Sequence, residues 1–409
     1  MMEIGPLVVE TLPYGVGTTP AMPSAYLDSL TELDRFEWYV GQPGDPAESI
    51  DRFLTQYQLG TNALSRTTRP GPGSDPNAPV GAALFVSAAA GAAMIGAPTG
   101  APNPAAGVPD VVAVVYTRTT GHPVAPAPPP ATGWWLGPWQ PSWTPAAHAT
   151  AVTRARDAIG RGDIYQVNVV GHASARYTGD PIPALARLGR LPGARYGGVL
   201  TGNGWAIGCA SPETLVEVTG GRLVTRPIKG TRPATATGRA ELLASAKERA
   251  EHIMIVDLER NDLARVAATG SVRVDELYAI RRWCDLWQAE STISAHAADG
   301  LRLADLLRAV CPGGSVTGAP KVSALARIAA LEPVGRGAGM GALGWVGPDH
   351  IDLGLTIRTA AADGERLHVW AGGGITWDSD PDAEVAEAAA KAGPVRAALA
   401  GNRPQPPGR

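Results

Sequence analysis

Lys229 lies in Arg226-Pro227-Ile228-Lys229-Gly230-Thr231-Arg232, after an extended run and before a turn, with an arginine on either side. An amine among cations and partly withdrawn from water has its pKa pushed down and becomes a neutral nucleophile. On a surface the same lysine is only a solvated charge. Composition adds weight to the first reading. Of the 35 lysines and arginines only four are lysine: Lys229, Lys247, Lys321 and Lys391. Where arginine serves for most positive charges, a retained lysine marks a place that planar, permanently charged guanidinium cannot fill. Glu213, in Ser211-Pro212-Glu213, lies upstream in the same group of strands. A carboxylic acid beside a nucleophilic amine can protonate a leaving hydroxyl; a structural salt bridge is the other role open to it.

Two carboxylate pairs share one spacing. Glu248 and Glu251 are three apart in one helical segment, and Glu384 and Glu387 are three apart in another. That spacing puts both members of a pair on one helix face. Two such faces turned together suit a hard divalent cation such as magnesium, whose shell is completed by water and an anionic substrate; a solvated acidic face is the plain alternative. Glycine-rich stretches occur at Cys311 to Lys321 and at Ala371 to Ile375, both read as helix–strand junctions. Glycine lets backbone N–H groups approach an anion. Neither stretch matches a nucleotide-binding loop. With Arg358 and two nearby lysines they point to a ligand bearing carboxylates.

These groups need a scaffold. Helices are predicted at Ala146 to Gly160, Arg239 to Val266 as one long element, Leu301 to Val310, Lys321 to Leu331 and Asp382 to Ala400. Strands are predicted from Ile164, through Gly197 to Pro227 with turns at Gly202-Asn203-Gly204 and Gly220-Gly221, and from Met340 to Ile375. Earlier in the chain, Leu30 to Val40 reads as helical or mixed, Thr67 to Pro79 as a loop, Val80 to Ala97 as a buried strand with a loop, and Asp110 to Thr119 as a buried strand. The Pro- and Trp-rich Gly121 to Pro145 reads as a linker without regular structure. Strands in runs and helices in runs argue for α+β. The expected division is an N-terminal region at 1–145, a catalytic domain at 146–398 and a flexible tail at 399–409.

The 409 residues, 44% hydrophobic, suffice for a large core, and the net charge of −3 with no basic block argues against nucleic acid. Cys209, Cys284 and Cys311 fit no metal spacing and read as buried thiols in a reducing compartment. No leader or membrane span is read, and a cytoplasmic enzyme is expected.

Taken in order, Gly162-Asp163-Ile164-Tyr165-Gln166-Val167-Asn168, Ser211-Pro212-Glu213, Pro227 to Arg232, Glu251 to Asp262, Pro312 to Lys321, Ile357-Arg358-Thr359 and Ala371 to Asp380 resemble the chorismate-utilising enzymes across about residues 144–396. That family includes anthranilate synthase component I, aminodeoxychorismate synthase component I, and the isochorismate and salicylate synthases. The resemblance implies two large antiparallel sheets packed as a sandwich with helices outside. Within the family, lysine at position 229 marks the branch that aminates chorismate at ring carbon 4, toward para-aminobenzoate and folate. It implies Lys229 as nucleophile and Glu213 as proton donor. It also implies magnesium between Glu251 and Glu387, with Glu248 and Glu384 supporting through water. Gln166, Thr231, Ser315, Thr317, Arg358, Gly373, Gly374 and Lys391 would hold substrate. Gln166 stands where isochorismate-forming relatives carry a lysine that activates water. Gln288 replaces a frequent family histidine, and Gly339 a frequent aromatic, which predicts a looser pocket. With no Gly-Cys-Gly elbow in the chain, a separate glutamine amidotransferase is the expected ammonia source. An anthranilate synthase component I and a non-catalytic chorismate-binding subunit stand as alternatives.

Overall fold

The computed structural model describes residues 30–65, 78–118 and 133–400. Strand β1 (Leu30–Trp38) leads through α1 (Pro46–Thr55) and α2 (Thr61–Leu64) to β2 (Pro79–Val86), α3 (Ala88–Met94) and the β-branched β3 (Val111–Arg118). Short strands β4 (Trp135–Leu136) and β5 (Gln140–Pro141) precede α4 (Pro145–Gly160), β6 (Gln166–Thr178) and α5 (Ile182–Gly189). Five strands follow in succession: β7 (Tyr196–Gly202), β8 (Trp205–Ser211), β9 (Thr214–Thr219), β10 (Arg222–Arg226) and β11 (Ile228–Pro233). Helices α6 (Ala236–Ala244) and α7 (Ala246–Ala264) lead to the hairpin of β12 (Arg273–Trp283) and β13 (Leu286–His296). After α8 (Leu303–Val310) come a single 3-10 turn (Gly314–Val316), β14 (Gly318–Ala319) and α9 (Lys321–Leu331). The chain then runs through β15 (Ala342–Val346), β16 (His350–Leu355), β17 (Thr359–Ala362) and β18 (Arg366–Ile375) into α10 (Pro381–Ala400).

The strands form two antiparallel sheets, as an α+β sandwich requires. The ten-stranded sheet has the order β1-β3-β2-β15-β16-β9-β10-β13-β11, with β12 also on β13. The eight-stranded sheet has the order β14-β6-β18-β17-β8-β7, with β4 and β5 also on β6. One core cluster joins side chains of both sheets, among them Phe85, Val114, Val216, Leu353, Ile207 and Trp370. A second lies under α5 and α10 and contains Leu185, Leu188, Val369, Val395 and Leu399. The inner faces of the two sheets bury one another, and β3, β8 and β17 are buried on both faces.

Several expectations change. Leu30–Trp38 is a strand, because its backbone is completed by β3, with Leu30 opposite Arg118 and a bulge between Glu32 and Asp34. After β2 the apolar run continues as helix α3 rather than a loop, started by Ser87, whose hydroxyl accepts from the Ala90 amide at 3.0 Å. The long helix expected over 239–266 is two. Ser245 has extended backbone and its hydroxyl accepts from Glu248 N at 3.2 Å, an N-cap that restarts the helix. The described part of the expected linker contains β4 and β5, both paired with β6; residues 119–132 lie outside the described residues, as do most of the loop at 67–79 and the tail beyond Ala400. No break in the sheet falls at residue 145: β2 pairs with β15 and β15 with β16, so segments on both sides of that point share one sheet and one core. Among the described residues no helix is long and apolar enough to cross a membrane.

Candidate active site

The chain crosses from the eight-stranded to the ten-stranded sheet between β8 and β9, at Ser211-Pro212-Glu213, and returns between β16 and β17, at Thr356 to Arg358. The two crossings are neighbours, since β9 pairs with β16 and β8 with β17. Backbone bonds join them: Leu355 N donates to Glu213 O at 3.0 Å and Ala210 N to Arg358 O at 2.8 Å. Glu213 and Arg358 are thus buried polar residues held at the seam of the sandwich, 3% and 4% exposed.

Lys229 reaches this seam from β11, the edge of the larger sheet. The β11–β13 register slips between Lys229 and Thr231, and Gly230, at φ +69°, absorbs the bulge. Lys229 Nζ donates to the Ser315 carbonyl at 2.9 Å, and Ser315 Oγ donates to Glu213 Oε1 at 2.6 Å. Ser315 belongs to the 3-10 turn 314–316 and so ties amine and carboxyl into one unit. Burial pushes the Lys229 amine down, against the pull of Glu213, and Lys391 pushes the same way. Lys229 keeps some surface, yet it lies deep enough for desolvation to dominate. Burial pushes the Glu213 carboxyl up, against Ser315, Lys229, the Ile228 backbone and Arg358. Both shifts favour neutral forms, an amine that can attack and an acid that can donate. The flanking arginines are not the cause. Arg226 is spent on Glu217 at 2.7 Å and Arg232 on Glu248 at 3.0 Å.

Gly374 sits between Lys229 and Gln166: a methyl added there would run into the Gln166 amide and lie 3.2 Å from Lys229 Nζ. A methyl on Gly373 would lie 2.9 Å from Glu384 Oε2, 3.7 Å from Lys391 Nζ and 3.8 Å from Glu387 Oε1. These glycines are inside β18, opposite Val169 and Asn168, and not in the expected junction turn. What they supply there is room for the site's side chains. Lys391 Nζ pairs with Glu387 at 2.6 Å and donates to Gly372 O at 3.1 Å.

Arg358 has no acidic partner within ion-pair distance among the described residues. Its Nη1 donates only to the Ile357 carbonyl at 2.9 Å, its Nε has no acceptor, and its guanidinium lies 4.8 Å from the Trp283 ring. Burial pushes it down to about 10, opposed by Glu213 and Glu387. A buried, uncompensated cation is a ready seat for a carboxylate. Thr317 differs from expectation: its hydroxyl donates to the Gly313 and Gly314 carbonyls at 2.8 and 3.3 Å and so holds the turn. Thr231 follows the bulge, opposite Gln288. The space beyond Gly339 is filled, since a methyl there would meet Trp370 Cβ at 2.6 Å.

The four glutamates come from α7 and α10. Glu251 accepts from Thr376 at 3.0 Å and lies 3.7 Å from Lys247; Glu384 accepts from Ser379 at 2.7 Å. Burial, with Glu248 adding, pushes Glu251 up against the pull of Lys247. Burial pushes Glu384 up to about 7, with Glu387 adding. Among the described residues no three His, Cys, Asp or Glu converge as a cage. The donors still fit magnesium, which needs one or two carboxylates when water and substrate complete its shell, and a cation would offset the burial, and the smaller repulsion from Glu248 and Glu387, that raise Glu251 and Glu384.

Reasoning from sequence missed three buried groups. Trp283 lies under Arg358. Asp262 pairs with Lys321 at 2.7 Å, so that scarce lysine serves the core. Glu259, behind the 314–315 turn, is pushed up to about 8 by burial and by Asp262. All three depend on contacts remote in sequence; only the lysine scarcity flagged one partner. Cys209 and Cys311 are buried as expected, whereas Cys284 is half-buried.

A family profile described as chorismate binding enzyme matches residues 96–397. Aminodeoxychorismate synthase component 1 of Salmonella typhimurium is 41% identical over 256 residues, covering 61% of this chain and 56% of that protein. The Bacillus subtilis protein of the same name is 37% identical over 270 residues, covering 64% and 57%. Anthranilate synthase component 1 of Streptomyces coelicolor is 39% identical over 276 residues, covering 66% and 54%. The chain thus spans little more than half the length of these curated relatives. Among solved structures, anthranilate synthase component I from Streptococcus pneumoniae TIGR4 superposes with a TM-score of 0.72 at 24% identity, covering 94% of both chains, and shows the fold to be of that kind.

Proposed function

Since this chain belongs to the chorismate-binding enzyme family, we propose that it aminates chorismate at ring carbon 4, giving 4-amino-4-deoxychorismate with the enolpyruvyl group retained. The observation that carries this reading is the Lys229–Ser315–Glu213 unit, an amine and a carboxyl both biased to their neutral forms and fixed by one residue. Lys229 Nζ attacks carbon 2 of the ring, both ring double bonds shift by one position, and the carbon 4–oxygen bond breaks. Glu213 gives its proton to that oxygen, which leaves as water. Ammonia then adds at carbon 4, both double bonds shift back, and the carbon 2–Nζ bond breaks with its electron pair returning to Lys229. The departing amine takes the proton that the new ammonium must lose, so no histidine at position 288 is needed for that step. Arg358, with its unmatched buried charge, seats a substrate carboxylate, and Lys391 serves another. Magnesium held by Glu251 and Glu387, with Glu248 and Glu384 behind through water, would neutralise the ring carboxylate when bound. The ammonia comes from a separate glutamine amidotransferase subunit, in keeping with the component 1 names of the relatives.

A second reading is supported by the anthranilate synthase relatives at similar identity: amination at carbon 2 followed by loss of pyruvate. One experiment separates the two. Intact-protein mass spectrometry with chorismate and magnesium but without ammonia is expected to show a gain equal to chorismate less one water, mapped to Lys229. Absence of that adduct, together with anthranilate fluorescence once ammonium is added, overturns the first reading in favour of the second.

A further inference from the structure

Trp283 ends β12, just before the turn of the β12–β13 hairpin, where Cys284 takes φ +48°. Its neighbours in the chain, Arg281, Arg282 and Asp285, are exposed, yet Trp283 is 1% exposed. The hairpin end is pinned from outside. Cys284 N donates to Pro192 O at 2.8 Å, and a methyl on Gly193 would lie 3.0 Å from Trp283 Cα. The indole Nε1 donates to Ala210 O at 3.2 Å. Ala210 stands one residue before the Ser211-Pro212-Glu213 crossing, and its own N–H donates to Arg358 O at the other crossing. The Arg358 guanidinium in turn lies over the Trp283 ring. Backbone, indole and guanidinium thus close a ring of contacts at the seam of the sandwich.

We propose that Trp283 is a positioning residue for substrate binding: its ring stands in for a counter-ion to Arg358 and leaves that guanidinium fixed and free to take a substrate carboxylate. This rests on Arg358 as the carboxylate seat of the function proposed above, and it deepens that reading. A buried guanidinium requires some compensation. A carboxylate in contact would supply it, but would also occupy the N–H donors and repel a second carboxylate. That is the condition of the chain's other arginines near the seam: Arg226 pairs with Glu217, Arg232 with Glu248 and Arg336 with Glu332. At Arg358 the acids Glu213 and Glu387 act only from beyond ion-pair distance. An indole face attracts a cation through its quadrupole, with no net charge. It therefore holds Arg358 without competing for the donors that the substrate would use. Only Nη1 is engaged, by the Ile357 carbonyl, and Nε has no acceptor. The bond from the indole N–H to Ala210 keeps the ring from turning its edge to the cation.

The test is calorimetric titration of the full chain with chorismate in the presence of magnesium. Trp283→Met keeps an apolar side chain and removes the aromatic face. It is expected to raise the Kd for chorismate about tenfold, the scale of a desolvated cation–π contact. Trp283→Phe keeps a face and should stay within about threefold of wild type. In an Arg358→Met background, Trp283→Met should add less than about twofold, because a ring that acts through the cation then has nothing to hold. A packing role alone would weaken binding equally in both backgrounds, and that result overturns the proposal. So does a Trp283→Met Kd within about twofold of wild type, or a Phe variant as weak as the Met variant. If Trp283→Met does not fold, Trp283→Phe decides in the same two backgrounds: a loss confined to the Arg358 chain supports the role, and an equal loss or none refutes it. If Arg358→Met binds chorismate as wild type does, the carboxylate seat fails and the role of Trp283 with it. A weakened Arg358→Met beside an unchanged Trp283→Met sinks only the role of Trp283. The Lys229 mass adduct tests the amination chemistry separately.

Discussion

Arg358 offers a prediction that runs against the usual effect of deleting a buried charge. Its guanidinium is pushed from 12.5 down to about 10 by burial. At about 1.4 kcal/mol for each tenfold change in proton affinity, holding the cation there costs the folded protein up to about 3 kcal/mol. The stack on Trp283 and the bond to the Ile357 carbonyl return about 1 kcal/mol each. Methionine is flexible and of suitable volume to fill the space. Arg358→Met should therefore stabilise the free protein by about 1 kcal/mol, raising Tm by about 1 °C in a chain of this length. The sign with pH follows. Folded and unfolded states both hold the proton below pH 10, so the gain should be flat from pH 6 to 9. Binding should respond in the opposite sense. Losing a buried guanidinium–carboxylate contact costs at least about 2 kcal/mol, some thirtyfold in Kd or more, and the thermal shift that chorismate gives the wild type should shrink accordingly. Calorimetric unfolding with and without chorismate measures both. A variant that melts several degrees lower, or binds chorismate as wild type does, refutes the view that Arg358 is an uncompensated cation awaiting a carboxylate.

Other perturbations probe the same site and its support. Lys229→Ala and Lys229→Arg should both lose chorismate amination and the mass adduct, because guanidinium supplies charge but not a neutral amine; full activity in Lys229→Arg would remove the covalent role. Gly374→Ala should cost about 1–3 kcal/mol by overpacking and slow amination, since the methyl displaces Gln166 and crowds Lys229; urea unfolding and rate measurements read the two effects. Lys321→Met leaves Asp262 buried without its partner and should destabilise by about 3–5 kcal/mol, with much of that recovered in the double change Lys321→Met, Asp262→Leu. Glu259 is raised from 4.5 to about 8, so the folded state keeps a proton that the unfolded state has lost, and its contribution to stability falls as pH rises from 4.5 through 8. Glu259→Gln should thus raise Tm more at pH 9 than at pH 5; an equal change at both would deny the shift.

Sequence by itself went far with local order. The helices at Lys321–Leu331 and Pro381–Ala400, the hairpin turns at Gly202 and Gly220, and the glutamate pairs of α7 and α10 are written in periodicity and in glycine placement. The motifs also carried the family, and lysine scarcity drew attention to Lys229. Each of these signals lies within a few residues, where helix period, strand alternation and turn chemistry act.

Tertiary structure was needed wherever the cause is remote. Leu30–Trp38 is a strand because β3 completes its hydrogen bonds, and Gly373 and Gly374 are strand residues because β6 lies alongside. The flanking arginines that suggested a perturbed Lys229 turn out to be neutralised by Glu217 and Glu248. What lowers its pKa is first burial at the seam of two sheets and then Lys391, from a helix some 160 residues later in the chain. Sequence names the amine; only the fold withdraws water from it, sets Ser315 between it and Glu213, and leaves Arg358 without a counter-charge. Desolvation and Coulomb interactions depend on distance in space, and two antiparallel sheets bring that distance to a few ångströms for residues the chain keeps far apart.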